Sequence, residues 1–222
     1  MISAKEGNIP SNSKDRPSKL KDLPSHQRDL PTTLKNVPDC IKHLVNNDDI
    51  VVCVKPDGAC GANAAAGHIF EDPNEGPKFL KVINTHITDR WGYYKNKINF
   101  PYKRQVGVNG DWVHFVEAAE FIEFISTNDG SAFLWTDSEE ILAIANLYQI
   151  NIKVITLRTK EDLDPVTSFI VPDPDIKEFA MLPPGIVPDM ILLHSEDSHF
   201  NLISSKQSRL VRNIEEKHKN KG

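Results

Sequence analysis

Hydrophobic and polar positions fall along the chain in blocks of different period, and each change of period marks an element. Val51-Val52-Cys53-Val54 is a short β-branched apolar run, the mark of a buried strand. Pro56-Asp57-Gly58 breaks it with turn residues, and Cys60 then opens an Ala-rich stretch, Gly61–Gly67, of helical propensity. Lys78–Lys97 places apolar residues at 79, 80, 82, 83, 87, 91 and 94, a spacing that predicts an amphipathic helix. Phe100–Asp111 reads as a loop and Trp112–Ile125 as a further helix. Thr136 or Asp137 caps another helix, whose apolar stripe runs Ile141, Leu142, Ile144, Ala145, Leu147. Asn151–Leu157 alternates as a strand, with short strands expected at Ser168–Val171, Met190–Leu193 and His199–Ser204. Helices interleaved with buried strands define an α/β (α+β) domain over residues 44–205.

The first 43 residues follow another rule. Prolines stand at 10, 17, 24, 31 and 38, framing units IPSNSKD, RPSKLKD, LPSHQRD, LPTTLKN and VPDCIKH. A proline every seven residues excludes a continuous helix, and the apolar content is too thin for a core. Residues 1–43 are therefore expected to form a flexible or loosely turned tail, with a partner-binding array of linear motifs as the alternative. Residues 206–222 read as a basic tail that forms an exposed helix.

Composition narrows the class. At 222 residues, with 39% hydrophobic and 26% charged side chains, the chain suits one soluble domain with tails. Three cysteines (40, 53, 60) match neither a disulfide framework nor a zinc site, so neither a metal nor another cofactor is expected. No apolar run approaches a membrane span and no secretory h-region is present, which points to the cytosol or nucleus. The charge is segregated: residues 44–205 hold 12 basic and 24 acidic side chains, against 8 and 5 in 1–43 and 6 and 2 in 206–222. An acidic body argues against nucleic acid and fits a basic protein surface.

Cys60 is the candidate nucleophile. A cysteine at the start of a helix faces unpaired N–H groups and the positive end of the macrodipole, which favours thiolate. The same position also suits a buried structural thiol, so a partner must decide between them. If His199–Ile203 is a strand, His199 and Asn201 share a face. His199 is then the candidate base and Asn201 its orienter, with Asp197 as a second orienter and His194 as a second base. A hydrogen-bonded histidine at a strand start satisfies the same spacing.

Pro56-Asp57-Gly58-Ala59-Cys60, the block Trp135–Ile155 and the terminal His199-Phe200-Asn201 together resemble the OTU (ovarian tumour) family of cysteine deubiquitinases. The resemblance implies a single papain-related domain, a small central sheet flanked by helices, with Cys60 as nucleophile, His199 as base and Asn201 as orienter. It further implies an oxyanion hole from backbone N–H groups around Asp57–Cys60, and ubiquitin or ubiquitin-like conjugates as partners. Glu117, Glu120 and Asp111 are expected to contribute an acidic surface for that partner. Ala59 stands where the family carries Asn, and Gly61-Ala62-Asn63 where it carries Leu-Phe-Arg. These departures leave two alternatives: a weak or inactive ubiquitin-binding module, or a polyprotein-processing protease. Linkage preference and oligomeric state are not written in the sequence.

Overall fold

The computed structural model describes residues 32–56, 58–106, 111–127, 138–158, 164–176, 180–187, 189–195 and 199–220. Among them the order is β1 (Thr33–Asn36), a 3-10 helix (Asp39–Leu44), β2 (Asp49–Cys53), α1 (Cys60–Phe70), a 3-10 turn (Pro73–Glu75), α2 (Gly76–Asp89) and α3 (Trp91–Tyr94). There follow β3 (Tyr102–Val106), β4 (Asp111–Phe115), α4 (Ala118–Thr127), α5 (Ser138–Tyr148), β5 (Asn151–Leu157), β6 (Val166–Ile170), β7 (Asp189–Ser195), β8 (His199–Ser205) and α6 (Arg209–Lys219). Six strands form the central sheet in the order β1-β2-β8-β7-β5-β6, antiparallel except for the parallel pair β5 and β7.

Alternation divides the sheet into two faces. Val52, Ile152, Val154, Met190, Leu192, Phe200 and Leu202 pack against α1, α2, α5 and α6 in the main core. Val51, Ile155, Leu193 and Ile203 project to the other face, which Val37 and Ile41 cover. Helix α1 is enclosed by the 3-10 turn, α2 and β8, and nine of its eleven residues are buried. That enclosure explains its Gly and Ala content: small side chains let neighbours approach from several directions. No helix of the described residues is long and apolar enough to cross a membrane.

Several expectations change. The stretch expected as tail, residues 1–43, supplies β1 and the 3-10 helix; residues 1–31 lie outside the described residues. In the fourth repeat unit a short strand follows the proline, and Leu34 packs on the main core. The proline period ruled out a helix but not a strand of four residues. At the other end, α6 is docked rather than exposed: Leu210, Val211 and Ile214 are buried and Ser208 caps the helix by accepting from the Val211 N–H at 3.3 Å.

The loop expected over 100–111 and the start of the helix expected at 112 are a β-hairpin instead, with Lys103 opposite His114 and Gln105 opposite Trp112. Trp112 to Phe115 alternates exposed and inward, a strand period that a helical reading hides. Glu120 accepts from the backbone N–H groups of Val116 and Glu117, at 2.7 and 3.4 Å, and so fixes the helix start after the hairpin. Phe115, Phe121 and Ile125 close a satellite core there. The cap expected at Thr136 or Asp137 lies outside the described residues.

The core contains a titratable network. His86, 4% exposed, pairs its Nε2 with Tyr94 Oη at 3.1 Å, and Tyr94 Oη also accepts from Asn146 Nδ2 at 3.1 Å. Burial, reinforced by the Arg90 charge, holds the His86 pKa down to about 4. The folded state thus binds this proton more weakly than the unfolded chain. Its contribution to stability is complete above pH 6.5 and is lost as the pH falls toward 4. Urea unfolding at pH 5.0 should give a free energy about 2 kcal/mol below that at pH 7.5, a gap that His86→Phe should narrow.

Candidate active site

Two local structures bring the site residues together. The first is the turn into α1. Gly58 has φ 78°, a left-handed conformation that a side chain resists, which is why the strand-to-helix turn carries glycine there. Ala59 is the N-cap and offers no side-chain acceptor, so no cap side chain shields the first-turn N–H groups. Cys60 is the first residue of the helix and only 3% exposed. Asp57 lies outside the described residues, as does Asp197.

The second is the end of the β2–β8 ladder. Pairing with β8 runs from Asp49↔Ser205 to Val52↔Leu202 and then stops. Two groups fill the gap. The Val54 N–H donates to Asn201 Oδ1 at 3.1 Å, and the Phe200 N–H donates to Cys60 Sγ at 3.4 Å. The sulfur therefore occupies the place of a missing strand carbonyl, beside the residue that follows His199.

His199 and Asn201 share a face of β8, as the alternation predicts, with His199 Nε2 3.2 Å from Asn201 Oδ1. An oxygen already accepting from Val54 is an acceptor for the ring as well. Nε2 then carries the proton and Nδ1 the lone pair of the neutral imidazole. Burial pushes the His199 pKa below its ordinary 6.5; hydrogen bonds to Asn201 and to the Val54 backbone oppose this, and the cationic forms of His194 and Lys35 add to it. At neutral pH the ring is uncharged and able to accept a proton.

His194, the second candidate base, pairs with Phe200 across β7–β8 and stacks on its ring, centroids 4.4 Å apart at 22°. Its Nδ1 is 3.4 Å from Thr156 Oγ1. Val54 escaped the sequence reading because a backbone donor leaves no mark in sequence. The stacking of His194 follows from its pairing with Phe200 in the β7–β8 register. Of the expected acidic surface, the Glu120 carboxylate serves as a helix cap, Glu117 is exposed and the Asp111 side chain lies outside those described. Among the described residues, no group of three or more His, Cys, Asp or Glu could hold a metal ion.

No family model matches the sequence, and no curated protein matches it. Solved structures do. The OTU domain of OTUD1 superposes with a TM-score of 0.52 at 17% identity, covering 74% of this chain and 91% of that one. The OTU domain protease of Dera Ghazi Khan virus gives 0.44 at 16%, covering 70% and 80%. The Hazara virus OTU, solved bound to ubiquitin, gives 0.43 at 11%, covering 80% and 97%. The fold is OTU-like: a single α/β domain with a mostly antiparallel central sheet flanked by helices.

Proposed function

We propose that the protein is a cysteine isopeptidase acting on ubiquitin or ubiquitin-like conjugates, with Cys60 as nucleophile, His199 as base and Asn201 as orienter. One arrangement carries the reading: Asn201 Oδ1, anchored by the Val54 N–H, holds His199 Nε2, while the next N–H of the same strand rests on Cys60 Sγ. The Cys60 proton passes to His199 Nδ1 and the sulfur attacks the carbonyl after the modifier's C-terminal glycine. N–H groups from the turn through Asp57 to Cys60 stabilise the oxyanion. His199 returns the proton to the departing lysine amine, leaving a thioester. A water, deprotonated by His199, then releases the modifier's carboxylate and the thiol. The excess of acidic over basic side chains in residues 44–205 supports a partner with a basic face.

The 3% exposure of Cys60 supports a second reading, a module that binds the modifier without cleaving it. A ubiquitin probe with a C-terminal electrophile separates the two. Covalent capture at Cys60, with cleavage of isopeptide-linked chains, supports the enzyme; binding without capture supports the module. Neither binding nor capture, with a peptide bond cut elsewhere, refutes both.

A further inference from the structure

We infer that His194 is a positioning residue for Cys60: its ring, flat on Phe200, holds the β8 backbone so that the Phe200 N–H remains on Cys60 Sγ as a donor to the thiolate. The inference rests on Cys60 being the nucleophile. On the β2 side of Phe200 the ladder has ended, so no strand carbonyl takes its N–H, and the sulfur at 3.4 Å takes it instead. On that side the segment is held by hydrogen bonds from Val54 to Asn201 and from Phe200 to Cys60.

The constraint comes from the β7 side. His194 is the direct cross-strand partner of Phe200, and the rings are nearly parallel at 4.4 Å. His194 is in turn paired with Thr156 of β5, whose hydroxyl lies 3.4 Å from Nδ1. The ring therefore ties β8 to two strands at the level of the cysteine. A hydrogen bond to a thiolate is charge-assisted and directional, so a small displacement of Phe200 weakens it. His194 also acts on the base. The charged groups that act on His199 are His194 of β7, on the opposite face of the sheet, and Lys35 of β1, with Cys60 of α1 lying against the neighbouring Phe200 N–H and the Asn201 amide beside the ring. A cation at 194 opposes a second one at 199.

The test uses the full chain and a reaction independent of ubiquitin: alkylation of Cys60 by iodoacetamide across pH, read by peptide mass mapping. His194→Ala is expected to slow alkylation at neutral pH about tenfold, as for one weakened hydrogen bond. His194→Phe, which keeps a stacked ring, should stay within about twofold of the wild type. In both variants the His199 titration, followed by NMR, should move to higher pH because the charge at 194 is gone. A purely structural role would lower Tm and leave the alkylation rate of the folded protein unchanged. Wild-type rate and titration in His194→Ala would overturn the inference, as would equal slowing in both variants. If His194→Ala does not fold, His194→Phe and its titration still decide. Alkylation that responds to His194 in a protein that cleaves no ubiquitin refutes the proposed activity and leaves this inference standing. Ubiquitin cleavage with no response to His194 does the reverse.

Discussion

Cys60→Ala should abolish covalent capture of the ubiquitin probe, and His199→Ala should lower hydrolysis of a ubiquitin isopeptide by about 10³-fold or more. The two losses should not multiply, because a nucleophile and its base act as one unit. Asn201→Ala should cost less, about 10- to 100-fold in kcat, since it removes an orienter and not a reacting group. It also strips the Val54 N–H of its 3.1 Å acceptor, so a fall in thermal stability should accompany the loss of rate. Steady-state hydrolysis with calorimetry on the same samples checks both. Full activity in His199→Ala would remove the catalytic reading.

Gly76→Ala should be the most damaging single methyl addition near the site. A Cβ at Gly76 would lie 1.8 Å from Asn63 Oδ1 and 2.8 Å from the Asn63 Cα. Asn63 Oδ1 belongs to a side chain that could rotate, but its Cα belongs to α1 and cannot yield without separating α1 from α2. Overpacking of this kind costs about 3 kcal/mol, and for a domain of this size Tm should fall by about 6–12 °C. The backbone conformation is not at issue, since Gly76 has φ −51°. Asn63 follows Cys60 by three residues, one helical turn, so activity should fall along with stability. Differential scanning fluorimetry and probe capture test the two effects separately.

The elements that carry the site were legible in the sequence, because each has an unambiguous local period. The Val51–Val54 run, the left-handed Gly58 before the helix, the helix opening at Cys60 and the face shared by His199 and Asn201 are all found where expected. What escaped was decided by contacts distant in sequence. Thr33–Asn36 is a strand only because β2 offers it an edge, and α6 is docked only because the main core leaves room for Leu210, Val211 and Ile214. The hairpin of β3 and β4 was concealed by an aromatic-rich segment that also suits a helix. Around Cys60 the decisive donors are backbone N–H groups of Val54 and Phe200, which no side-chain pattern announces.

The enclosure of α1 also has a consequence in time. Amide groups exchange with solvent as the segments that bury them open, and segments with few buried contacts open first. The satellite core of the hairpin and α4 is small and meets the main core through Trp91, and β1 and β6 each pair along a single edge in the described sheet. These parts should open and reclose on their own. Helix α1, buried along most of its length, has no such independent motion, so its amides should exchange only when the whole domain unfolds. The thiol at its first turn would then keep its setting through every partial opening of the periphery.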